Sequence, residues 1–175
     1  GGFGAAERQQ LARREVQACS SGAIWLAERA RTADAVALWD RVIANPAASR
    51  EERINAGVHS AGAHHSSGNP AAAERYALTG AGLCGSSPPD LVQRAAALRI
   101  AGISALALGN RSVARERLQE ALRAAEESGD RAMVGRCIGA AAGYHLIFGA
   151  AAEAEAGFLR AIEIARAEKD IPSLG

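Results

Sequence analysis

The chain has 175 residues, 49% of them hydrophobic but only 4% aromatic. Forty-three are Ala, so the apolar content is mostly methyl groups. That excludes a β-sandwich or barrel, which needs alternating β-branched and aromatic residues. Twenty basic against 19 acidic residues leave a formal charge of +1, which argues against a dedicated nucleic-acid surface; 22% charged residues beside an apolar half argue against disorder.

Ala-rich, Pro-poor sequence predicts an all-α chain. In chain order, a first helix is expected over 7–30, a turn at Thr32 and a second helix over 33–45. Ala37 and Ala44 then fall five and twelve residues after that turn. Trp25 and Trp39 lie in this pair and are expected to seal its outer end. Ser49-Arg50-Glu51-Glu52 matches a capping box and opens a helix over 50–66. Gly68-Asn69 marks the next turn, followed by a helix over 70–83 with small residues at Ala73, Ala77 and Gly80. The stretch 84–89 reads as a linker in which Pro88-Pro89 ends the preceding helix, with Asp90 capping a helix over 90–107. Gly109-Asn110 then turns into a helix over 111–127. Asp130 caps a helix over 131–148, and Gly149 leads into the last, over 151–168.

These elements repeat. At an offset of 40, Leu108-Gly109 meets Phe148-Gly149, Ala114 meets Ala154, Leu118 meets Phe158 and Ala121 meets Ala161. The expected caps Ser49, Asp90, Asp130 and Asp170 are spaced 41, 40 and 40 residues apart. The repeats run over about 7–48, 49–89, 90–129 and 130–169 of a single domain covering 1–175, and Asp170-Ile171-Pro172 begins a fifth within 170–175. The glycines inside first helices (Gly22, Gly57, Gly62, Gly102, Gly139 and Gly143) are expected to allow close helix packing, because Gly otherwise costs about 1 kcal/mol against Ala.

Helix pairs with a small residue before the turn, Gly at the turn and two small residues after it resemble tetratricopeptide repeats. The clearest copies are Leu98, Ala101-Gly102, Ala105, Gly109, Ala114, Leu118 and Ala121, then Ile138, Ala141-Ala142, His145, Gly149, Ala154, Phe158 and Ala161. In the first copy Trp25 takes the small-residue place and Thr32 that of Gly. The resemblance implies an α-solenoid of about four antiparallel helix hairpins in a right-handed superhelix. Its Ala- and Arg-rich repeats of about 40 residues are similar to those of large bacterial regulators, the LuxR-type ATP-binding activators and antibiotic regulatory proteins. There such repeats form a sensor or scaffold module. No GxxxxGK[ST] and no helix-turn-helix reader occurs in this sequence.

The chemistry-bearing residues are sparse. Cys19, Cys84 and Cys137 have no metal-ligand spacing and read as buried thiols of a reducing cytoplasm. His59, His64, His65 and His145 do not share a helix face at ligand spacing, so no metal is expected. The acidic pairs Glu51-Glu52, Glu126-Glu127 and Glu153/Glu155 read as solvated faces beside Arg, so no catalysis and no cofactor are expected. No apolar run is long enough for a membrane span. The chain begins Gly1-Gly2-Phe3-Gly4 and reads as part of a longer protein. The resemblance implies that first helices line a concave groove, placing Arg29, Asn55, His59, His65, Arg99 and Arg136 there as candidate ligand-binding residues. The expected partner is a protein or peptide, including neighbouring domains of the same parent chain, with self-association through exposed repeat ends as a further expectation. The alternatives are a sensor binding a small molecule or signalling peptide and, less favoured, an all-helical enzyme.

Overall fold

The computed structural model describes residues 4–169, and the start of a fifth repeat at Asp170 lies outside the described residues. Eight helices and no strand occur among them: α1 (Ala5–Ala27), α2 (Thr32–Ala44), α3 (Arg50–Ser66), α4 (Pro70–Leu83), α5 (Pro88–Ala107), α6 (Arg111–Ser128), α7 (Arg131–Ile147) and α8 (Ala151–Lys169). The all-α expectation holds, and most helix ends fall within a residue or two of those read from the sequence. No helix among the described residues is long and apolar enough to cross a membrane.

Four turns of the same construction join α1 to α2, α3 to α4, α5 to α6 and α7 to α8. In each, one residue adopts a left-handed conformation: Ala30 (φ 57°), Gly68 (72°), Gly109 (81°) and Gly149 (78°). The next residue's N–H reaches back to a carbonyl five positions earlier, Arg31 to Leu26, Asn69 to His64, Asn110 to Ala105 and Ala150 to His145. This is the Schellman closure, which satisfies carbonyls left orphaned at a helix end.

The first repeat is therefore in a different register from the one the sequence suggests. Its turn residue is Ala30, not Thr32, which begins α2. Ala37 and Ala44 are exposed, and the inward positions five and twelve after the turn are Ala35 and Val42. Seven before the turn stands Ala23, fully buried, so Trp25 does not take the small-residue place and is 50% exposed. Of the two tryptophans only Trp39 is buried. The cause is physical: an Ala forced into the left-handed region gives no sequence signal. It is also strained, and Ala30→Gly is expected to raise the unfolding free energy by about 0.5 to 1 kcal/mol, read from the urea midpoint at unchanged m-value.

The caps also sort differently. Ser49 accepts the Glu52 N–H at 3.2 Å and Asp130 the Met133 N–H at 2.7 Å, as expected. Asp90 is not a cap. Pro88 and Pro89 occupy the first positions of α5, where a missing N–H costs nothing, and Ser87 precedes them. Asp90 instead accepts from the Gly85 N–H at 3.0 Å and from Arg50 at 2.8 Å, tying the start of α3 to the start of α5.

The core follows the repeat register. Five residues after each turn stand Ala35, Ala73, Ala114 and Ala154, and seven before it Ala23, Ala61, Gly102 and Ala142, all buried. Within a pair the contacts are antiparallel: a Cβ on Gly57 would lie 3.3 Å from Gly80, and one on Gly102 2.8 Å from Leu118. Each helix packs on the next in sequence. Beyond those neighbours, among the described residues, the backbones of α1 and α3, α3 and α5, and α5 and α7 also approach one another, whereas those of α2, α4, α6 and α8 stay apart; α2 and α4 are bridged by a long side chain, the Tyr76 hydroxyl donating to Asp40 at 2.6 Å.

Arg13 locks the first pair onto the second. Its Nη1 donates to Glu52 Oε2 at 2.7 Å and to the Ala47 carbonyl at 2.7 Å, and Nη2 reaches Glu52 Oε1 at 3.2 Å. Glu52 also accepts the Ser49 N–H at 2.7 Å. The Arg13 hydrogen bond and, behind it, the two Ser49 bonds hold the Glu52 carboxyl down at about 2, against a smaller opposing effect of burial. A carboxyl depressed on folding contributes stability above its unfolded value near 4.5, and this is lost as pH falls from there through 2. Allowing for solvent screening, Glu52→Gln is expected to cost about 1 to 2 kcal/mol at neutral pH, the difference from wild type narrowing toward zero as urea titrations move from about pH 5 to about pH 2.

Candidate functional site

The odd-numbered helices approach one another in series, and their shared face is the natural place for a site. On α1, Ser20 and Ser21 lie three and four residues after Gln17, and Ile24 lies four and three after them, so the four share one face. On α3, Asn55 and His59 do the same. These residues, with Glu52 and Ala56, surround a cavity of 270 Å³ floored by Trp39 of α2. The His59 ring lies on the Trp39 ring, centroids 5.4 Å apart and planes at 12°. Desolvation of the stacked ring pulls its pKa below the ordinary 6.5, which favours the neutral imidazole at pH 7, while the residue as a whole stays exposed. The cavity is thus lined by amide, hydroxyl and imidazole groups and the Arg13-paired Glu52 carboxylate over an aromatic floor.

Further along the same face, Arg99 of α5 is half-buried and its Nε has no hydrogen-bond partner. Burial first, and then the like charge of Arg136 on α7, pull its pKa below the ordinary guanidinium value, with Cys137 opposing. Neither Arg99 nor Arg136 makes an ion pair among the described residues. Cys137, next to Arg136 in the chain, is fully buried, and burial pushes its thiol up to about 11 despite both cations, so it stays protonated and unreactive. Arg136 is exposed and also borders a shallow hollow of 400 Å³ between α7 and α8.

The six expected groove residues thus fall into three groups. Asn55 and His59 share a cavity, and Arg99 and Arg136 form a cationic pair. Arg29 and His65 join neither. Arg29 is one residue before the turn at Ala30, its guanidinium 4.0 Å from the centre of the exposed Trp25 ring and 3.8 Å from Glu28. His65 is exposed three residues before Gly68; its six-residue separation from His59 turns it to another face. Gln17, Ser20, Ser21 and Ile24 were not singled out by the sequence. With the turn placed at Ala30, Gln17 and Ser21 stand at the same offsets from it as Asn55 and His59 from Gly68.

The other chemistry-bearing residues have structural work. His64 stacks on Tyr76 at 5.2 Å, and Glu120 lies 3.5 Å from Arg117. Among the described residues no three His, Cys, Asp or Glu side chains converge as metal ligands would. Comparison with known proteins adds no name to this geometry: no family model matches the sequence, and no curated protein matches it significantly.

Proposed function

We propose that the eight helices are four antiparallel hairpins stacked as a tetratricopeptide-like α-solenoid, and that the chain is a non-catalytic protein- or peptide-binding scaffold module of a larger bacterial regulatory protein. Two features support the architecture: the fourfold Schellman turn, and a pattern in which the backbones of first helices approach one another in series while those of second helices stay apart. The second feature is what curvature produces when first helices lie on the inside of a stack.

The observation that carries the binding reading is the Arg99–Arg136 pair. Like cations near enough to repel, one of them half-buried with an unpartnered Nε and neither ion-paired among the described residues, are costly unless an anionic partner completes them. The Asn55–His59 cavity supplies amide, hydroxyl and imidazole contacts beside the Glu52 carboxylate, which Arg13 pairs. A segment of polypeptide with a carboxylate at one end of its contact and an amide or aromatic group at the other fits that order.

The test is selection of peptides from a random displayed library on the folded protein, followed by titration against Arg99→Gln/Arg136→Gln. Carboxylate-bearing peptides are expected to lose about tenfold or more in affinity. The Tm is expected to hold or rise, because the substitution removes an unpaired, partly desolvated charge. Unchanged affinity in the double variant would remove this face from the binding surface.

A further inference from the structure

We propose that a second cavity, between α6 and α7, is a binding site for a small monocarboxylate with an aromatic or branched apolar body. It has a volume of 280 Å³, and none of the six groove residues lines it. Its apolar wall is Leu118 and Leu122 of α6 with Ala141 and Phe148. Its polar side is Arg111, Arg115, Gln119, His145 and the ring of Tyr144.

The cavity exists because this inter-repeat contact departs from its neighbour. Where α4 offers Ala77 and Ala81 to α5, α6 offers Leu118 and Leu122 at the same offsets from the turn. Where α5 carries the buried Ser104, α7 carries Tyr144. The small residues allow close approach; the larger ones hold the helices apart and leave the space between them unfilled. A volume near 280 Å³ is at the lower bound of small-molecule sites and well above the roughly 150 Å³ that admits benzene. It suits about a dozen heavy atoms.

The charge at this cavity is one-sided. Arg111 is fixed in place: its guanidinium carbon lies 4.1 Å from the centre of the Phe148 ring, and its Nε donates to the Tyr144 hydroxyl at 3.3 Å. That anchoring uses Nε and leaves the terminal nitrogens to donate to a ligand. Arg115, one helical turn on, is exposed and makes no ion pair among the described residues. No carboxylate lines the cavity; Glu116 lies only on the open depression beside it, which Arg111 and Arg115 also border. Two guanidiniums over an apolar wall complement one carboxylate on a greasy body, and nearby Glu116 disfavours a second negative charge.

The probe is 3-phenylpropionate, titrated into the folded protein and followed by two-dimensional amide NMR. Saturable binding with a Kd of about 1 mM is expected for a ligand of this size, with shifts centred on Leu118, Leu122, Ala141 and His145. The neutral 3-phenylpropanamide, and the acid against Arg115→Gln, should each bind about tenfold more weakly. Arg115→Glu should abolish binding, and Arg99→Gln/Arg136→Gln should leave it unchanged, which separates this site from the inner face. Succinate and inorganic phosphate should not compete. A six-residue peptide ending in Phe should bind no better than the free acid. The proposal is overturned by absence of saturable shifts up to about 10 mM, by equal binding of acid and amide, by shifts that map to the Asn55–His59 cavity, or by markedly tighter binding of the peptide.

Discussion

Gly102→Val is expected to destabilise the protein by about 3 kcal/mol, although a glycine in mid-helix is ordinarily the residue whose replacement helps. A Cβ at Gly102 would lie 2.8 Å from Leu118 Cγ, 2.9 Å from its Cδ2 and 3.2 Å from its backbone nitrogen. Side chain and backbone of α6 would both have to retreat, and the branched Val leaves no rotamer that avoids them. The contrast is Gly143, which occupies an equally helical position on α7 with no atom within 4 Å of an added Cβ. Gly143→Ala is expected to stabilise by about 0.5 to 1 kcal/mol through helix propensity alone. Urea unfolding of the two variants beside wild type gives both signs. A Gly102→Val loss below about 1 kcal/mol would mean that α5 and α6 are not held in this contact.

Leu118→Ala is the second large effect, with an expected cost of about 3 kcal/mol. Leu118 is 3% exposed and packs with Ala105, Ala114 and Tyr144. In a core built mostly from Ala, few neighbours are large enough to move into the space it leaves, so the cavity term is not relieved. The substitution also removes most of what Gly102 must avoid. Gly102→Ala is therefore expected to be at least about 1 kcal/mol less harmful in the Leu118→Ala background than in wild type, a coupling that a double-mutant cycle reads directly. Additive effects would separate the two residues and contradict the packing described.

These pairs show where sequence reading succeeds in this chain. Helix boundaries, turn glycines and the small-residue stripes were legible because each has a local cause: Gly68, Gly109 and Gly149 permit the left-handed turn, and Ser49 and Asp130 supply oxygens to orphan N–H groups. Ala30 was not legible, since Ala carries no mark of a left-handed conformation, and the displaced register hid the Gln17–Ile24 stripe. Asp90 looked like a cap by spacing, yet Pro88 and Pro89 could open α5 themselves and freed it to bridge to Arg50. The helix glycines divide by tertiary contact. Gly22, Gly57 and Gly102 face atoms at 3.0 to 3.3 Å or nearer, whereas Gly62 and Gly143 face open space and Gly139 meets only Ala161 at 3.8 Å. Periodicity cannot tell a tight contact from an open one.

The site was legible only in part for the same reason. The resemblance placed six residues in one groove without dividing them, and Asn55 and His59 fall together because they lie on one helix, four residues apart. The pairing of Arg99 with Arg136, and the gap that Leu118, Leu122 and Tyr144 leave between α6 and α7, depend on how consecutive pairs sit on one another. That is set by the summed bulk of the facing residues, which no single motif records.

The most direct test of the architecture is removal of residues 130–175, with the amide spectrum of α1 to α4 as the readout. Among the described residues, the backbones of α1 to α4 do not approach those of α7 or α8. A stack held by nearest-neighbour contacts should keep the resonances of residues 5–83 at their positions in the intact chain, with changes confined to α5 and α6. Loss or general displacement of the α1 to α4 resonances would contradict it and require a single core shared by all eight helices.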